Sequence, residues 1–242
     1  MTIANHLIES AHDLLRADSA RRVRLRRADA AIRTPLRSTR RIAVISLAGG
    51  VGCSGVASRL AQLLVARRGS RLLGVDAGTN ADFSALTQQA ADQQGLTVLR
   101  PRGLAPIVRP LDWSDQVTGR LTEFEVVITD WGHRRPAIDF EAALDTADRV
   151  VLVCQADRLS LEVAVSVATT LGEQAPCAIA AVDVTKVGPI ATQVASGWTA
   201  LPIWFFPYLA NPRTNRPSAK YRESLITASA WLIKAASGGD PA

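Results

Sequence analysis

Lysine is almost missing from this chain: of 28 basic residues only Lys186, Lys220 and Lys234 are lysines, and the rest are arginines. Cysteine is also scarce, and Cys53, Cys154 and Cys177 are far apart. That spacing excludes a disulfide framework and fits reduced thiols in the cytoplasm. His6, His12 and His133 have no metal-ligand spacing, and no CxxC accompanies them. Although 48% of the residues are hydrophobic, no apolar run approaches the ~18 residues that suggest a membrane span. The opening MTIANHLIESAHDLLRADSA lacks the early positive charge and continuous apolar core of a secretory signal. Aromatics make up 5% of the chain, and Trp198, Trp204, Phe205, Phe206 and Tyr208 gather near its carboxyl end. Trp204 and Phe206 alternate onto one strand face, as core residues do.

Charge is present but uneven. Residues 21–41, RRVRLRRADAAIRTPLRSTRR, hold nine arginines and one aspartate, and taking their +8 from the total of +6 leaves −2 elsewhere. An anionic partner is therefore expected at this arm, with anionic lipid or an acidic protein surface favoured. A solvated charge run is the plainer alternative. Nucleic acid is disfavoured, because the run has no aromatic residue for base stacking. Residues 2–17 place Ile3, Leu7, Ala11, Leu14 and Leu15 at helical spacing, which predicts a short amphipathic helix suited to docking.

From Arg41 onward strand-like and helix-like segments alternate, the pattern of a doubly wound α/β domain with a mostly parallel sheet. Strands are predicted at 41–47, 71–77, 96–100, 124–131, 149–155, 177–184 and 201–207. Helices are predicted at 53–68, 83–92, 114–122, 137–146, 159–172, 188–196 and 217–236. The organisation is then a helical, Arg-rich extension over 1–40, one domain over 41–236 and a tail over 237–242.

The segment RRIAVISLAGGVGCSGVASRLAQLLVARRG, Arg40 to Gly69, has the outline of a phosphate-binding loop between a strand and a helix. Gly49, Gly50, Val51, Gly52 and Gly55 can turn backbone N–H groups toward one anion at a helix amino terminus. In G-x-x-x-x-G-K-[ST] the lysine reaches the terminal phosphates and the hydroxyl binds Mg²⁺. Here Cys53 stands in the lysine position and Ser54 in the hydroxyl position. A helix amino terminus would lower the Cys53 pKa, but a small residue filling a degenerate loop is the simpler account.

AGGVGCSG resembles the deviant Walker A motif KGGVGKT[TS] of the MinD/ParA-like ATPases, with Ala48 and Cys53 in place of its two lysines. In LLGVDAGTNADFS, Asp76 matches the family's first acidic position, while Gly78 stands where its water-positioning aspartate is expected. FEVVITDWG is similar to the Walker B strand, so the resemblance makes Asp130, with Ser54, a Mg²⁺ ligand. IWFFPYLANP is similar to the late loop that borders the base. VDVTKVGP has Thr185 and Lys186 of a TKxD base-reading motif but Gly188 at its acidic position. The lead IRTPLRSTRRIAVISLAGGVG is similar to the entry into MinD-like domains associated with type VII secretion.

The resemblance spans roughly residues 38 to 236 and implies P-loop architecture, a dimerising or partner-binding protein and a location in the cytoplasm or at the inner face of the membrane. Phosphoryl transfer depends on positioning and charge stabilisation, and losing one such group commonly costs on the order of 10²–10³ in rate. With three missing, no catalytic residue is assigned and negligible ATP hydrolysis is expected. The cofactor expectation is either none or weakly held ATP or ADP with Mg²⁺. The expected role is a degenerate ATPase acting as a regulatory or scaffold module, with a secretion component or a related ATPase as partner. A working ATPase with arginine standing in for lysine, including one in DNA segregation, is the alternative.

Overall fold

A computed structural model describes residues 19–78, 82–88, 95–101, 110–134, 140, 143–209 and 217–234. The predicted helix at 2–17, the ends of the predicted helix at 83–92 and of the late loop, half of the predicted helix at 137–146 and the tail at 237–242 lie outside the described residues.

The strands are β1 (Arg40–Ser46), β2 (Leu72–Asp76), β3 (Leu96–Leu99), β4 (Val126–His133), β5 (Arg149–Gln155), β6 (Cys177–Val182) and β7 (Ile203–Phe206). They form one sheet in the order β3-β2-β4-β1-β5-β6-β7, and every pairing is parallel. Parallel strands covered on both faces need apolar residues at successive positions. The all-buried LLGVD of β2 and the near-continuous RVVLVCQ of β5 meet that need.

The helices are α1, over 19–32, then α2 (Cys53–Arg68), α3 (Asp82–Gln88), α4 (Pro110–Val117), α5 (Arg158–Gly172), α6 (Ile190–Ala195) and α7 (Ala219–Ile233). A 3₁₀ helix, Thr118–Glu123, follows α4. The segment predicted at 114–122 thus starts earlier and is split. Pro110 opens the helix, where its missing N–H costs nothing, and its last turns tighten into 3₁₀. One core contains α4, α5 and α6 residues such as Trp113, Leu161 and Ala195. The other, on the opposite face, contains Leu60 of α2, Phe83 of α3, Leu225 of α7 and Ile32 of α1.

Much of the arginine arm is therefore folded onto the body. Ile32 is fully buried. Arg21 pairs with Glu223 at 2.5 Å, and Asp29 pairs with Arg67 at 3.3 Å. Arg68 donates to the carbonyls of Ile32 and Thr34 at the end of α1 and pairs with Glu125 at 2.8 Å. Charge alone does not reveal this packing, because Ile32, fully buried in the core, is one of several apolar residues scattered through an arginine-rich run.

Candidate functional site

The loop between β1 and α2 is built on its glycines. Gly52 caps α2 in the left-handed region at φ 90°, and no side chain caps that end. Gly50 is also left-handed, at φ 74°, a conformation that costs other residues strain. The first turn of α2 has no acidic residue, so its N–H groups and dipole face an open cleft. That cleft has a volume of about 510 Å³ and is lined by Ser46, the loop from Gly49 to Gly55, Gly78, Asp82, Leu86, Gly132 and His133. The structure thus gathers Gly49, Gly50, Val51, Gly52, Cys53, Ser54 and Gly55 around one cavity. Among the described residues no lysine or arginine lines it.

Two acidic residues lie buried behind its lining, Asp130 bonded to Cys53 and Gly132. Asp76 ends β2 and pairs in register with Asp130 of β4, and both are fully buried. Asp76 Oδ2 accepts from the Ser84 N–H at 3.0 Å and the Ser84 hydroxyl at 2.6 Å. Asp130 Oδ1 accepts from the Gly132 N–H at 3.0 Å and the Cys53 thiol at 3.3 Å. Asp76 Oδ1 and Asp130 Oδ2 are buried without a hydrogen-bond partner. Buried oxygens of this kind are costly unless something satisfies them. Two such oxygens beside the Ser54 hydroxyl suit a hard divalent cation such as Mg²⁺. Asp76, Asp130 and Ser54 are the residues that would hold it, and its chemistry would be to neutralise phosphate charge.

Burial raises the Asp130 pKa to about 6, the nearby Asp76 charge adds to the shift, and Ser54, Cys53 and the Gly132 N–H act against it. The folded state therefore binds this proton more tightly than the unfolded chain. The stability it contributes is complete below the ordinary value of 3.8 and is lost as pH rises through about 6. A cation competes with that proton, so Mn²⁺ affinity measured by electron paramagnetic resonance should fall by up to about tenfold per pH unit below about 6. Asp130→Asn should flatten the profile.

Cys53 opens α2. The helix end does not produce a thiolate: burial raises its pKa well above the ordinary thiol value, the Asp130 charge adds to this, and Ser46 and the Gly132 carbonyl oppose it only in part. A protonated thiol that donates to Asp130 is an inert packing group. Sequence reasoning also missed the end of β4. The strand runs on through Gly132 and His133, and its register with β1 shifts between Val44 and Ile45. Gly132 takes φ 65°, and His133, which its place after the Asp130 strand puts at the ligand-binding carboxyl edge of such a sheet, ends the strand rather than lying in a loop and lines the cleft.

No protein-family model and no curated protein sequence matches the chain. Solved structures do match. A plasmid partition protein from Borrelia burgdorferi bound to AMPPNP aligns with a TM-score of 0.59 at 13% identity, covering 81% of this chain and 99% of that one. MinD in the MinC:MinD cell division complex of Aquifex aeolicus aligns with a TM-score of 0.61 at 15% identity, covering 81% and 96%. The Pyrococcus furiosus cell division ATPase MinD gives 0.58 at 16% identity, covering 80% and 98%. At such identities the likeness is one of fold, and with the loop and the Asp76–Asp130 pair in place this chain has the P-loop fold of the ParA and MinD ATPases.

Proposed function

We propose that this protein is a ParA/MinD-type module that has lost ATP hydrolysis and works by binding, as a regulatory or scaffold component of a larger assembly. The carrying observation is Cys53. At the position of the nucleotide-gripping lysine stands a short thiol that donates to Asp130, and no described lysine or arginine lines the cleft. Among the described residues no cationic side chain supplies the stabilisation of transferring phosphate that hydrolysis requires. A protein partner is the expected ligand. The similarity of the IRTPLRSTRR lead to secretion-associated MinD-like domains favours a component of a secretion apparatus or a related ATPase.

A second reading, retained Mg²⁺-dependent binding of ATP or ADP, is favoured by the unpartnered oxygens of Asp76 and Asp130. Calorimetric titration with ATP and ADP in Mg²⁺, alongside a phosphate-release assay, separates the two. The proposal expects no turnover, and little or no nucleotide heat. Turnover that disappears in Asp130→Ala would overturn it, whereas saturable binding without turnover, lost in Ser54→Ala and Asp130→Ala, would establish a nucleotide-holding scaffold.

A further inference from the structure

At the amino-terminal edge of the sheet, away from the phosphate loop, guanidinium groups meet the carbonyl ends of helices. Arg149 opens β5 and is 5% exposed. Its Nη2 donates to the Lys234 carbonyl just beyond α7 at 2.8 Å, and its Cζ lies 4.4 Å from the centre of the Trp231 ring. Arg40 opens β1. Ile42 pairs with Arg149 across β1 and β5, and Ile42 and Val151 lie in the same core, so strand alternation puts Arg40 and Arg149 on that face together.

The charges here are unbalanced. The Nε atoms of both Arg40 and Arg149 are buried with no hydrogen-bond partner. Asp148, the acidic residue before Arg149, accepts from the Arg41 N–H, Nε and Nη2. Glu125, beside the start of β1, accepts from Arg68 Nε and Nη2. Burial lowers the Arg149 pKa to about 10, with the Arg40 charge the next cause and Asp148 opposing. Among the described residues these two neighbouring cations, Arg149 buried and Arg40 half-buried, have inward Nε donors and no bonded carboxylate, which is costly where they are desolvated. The carbonyl of Lys234 is a dipole and supplies no countercharge.

We propose that Arg40 and Arg149 form a notch that binds a doubly charged oxyanion, inorganic phosphate or a phosphomonoester group. A dianion matches two uncompensated guanidinium charges, whereas one carboxylate leaves a charge unmatched. Planar N–H donors suit tetrahedral oxyanions, and stacking on Trp231 holds one of them in place. β1 separates the notch from the phosphate loop by roughly 20 Å, the length of a strand of this size, so the two sites are independent.

The test is titration of the full chain with inorganic phosphate at constant ionic strength, followed by thermal midpoint and tryptophan fluorescence. Binding at the phosphate loop is removed with Gly49→Glu, since nothing lies within 4 Å of a Cβ built at Gly49 and the added carboxylate repels anions. The expected result is saturable binding in both the unaltered chain and Gly49→Glu, at least tenfold weaker in Arg40→Gln. Trp231→Phe should remove most of the fluorescence response. Equal binding by Arg40→Gln that retains its phosphate-free thermal midpoint, or no saturation at millimolar phosphate, would overturn the proposal. Neither result bears on the reading of the phosphate loop.

Discussion

Cys53→Lys should tighten Mg-ATP binding by on the order of 10–100-fold, as measured by calorimetry against the unaltered chain. The remaining parts of an anion site are in place: left-handed Gly50 and Gly52, an α2 amino terminus free of acidic residues and an open cleft. What the described lining of the cleft lacks is a cation, and one charge-assisted hydrogen bond contributes about 1.5–3 kcal/mol. Cys53→Ala is the control. It removes the thiol donor from Asp130 without adding charge, so it should leave nucleotide affinity unchanged. If the lysine variant folds and shows no gain, loop shape rather than missing charge is the cause of weak binding.

Recovered binding should not bring recovered hydrolysis, because Gly78 still occupies the place of the water-positioning aspartate. A Cβ added there would lie 3.8 Å from Asp76 Oδ1 and 3.9 Å from the Gly132 Cα, ordinary contact distances. Sterics at Cβ therefore do not forbid an aspartate. Its charge would, however, sit beside two buried carboxylates, which a bound cation would have to offset.

Gly74→Ala should produce the largest loss of stability of any single methyl addition considered for this chain. A Cβ at Gly74 would stand 2.5 Å from Cε1 and 2.6 Å from Cζ of Phe83, a ring that is fully buried. The ring lies directly on the strand, and an added methyl must displace it. Overpacking costs about 1–3 kcal/mol and occasionally more, and this contact is closer than van der Waals packing allows, so about 3 kcal/mol is expected in urea denaturation. Phe83→Ala should cost about 3–5 kcal/mol by the opposite route, an emptied site. The double variant should cost less than the sum, because the methyl then has space. Phe83 precedes Ser84, which donates twice to Asp76. Gly74→Ala should therefore also weaken Mn²⁺ binding, whereas a change confined to packing would leave it untouched.

The fold was legible because its strands carry near-continuous apolar runs that alternate with helix-like segments, as in RVVLVCQ. The two buried acids were legible because each closes such a run: Asp76 follows LLGV and Asp130 follows VVIT. Contacts made across the chain were not legible. Gly74 in a strand reads as a weak point until Phe83 is seen to lie on it. The orientation of Cys53 depends on Asp130, which is distant in sequence. Arginines at 21, 67 and 68 look alike as charge, yet each is matched to a particular carboxylate or helix end.

The close approach of Gly78 and Gly132 constrains how the cleft can respond. A Cβ at Gly132 would meet the Gly78 backbone at 3.3 Å, so the segments leaving β2 and β4 touch with no side chain between them as a cushion. Neither can shift toward the other, and displacement of one pushes on the other's backbone. Whatever enters the cleft therefore meets two walls that brace each other through bare main chain.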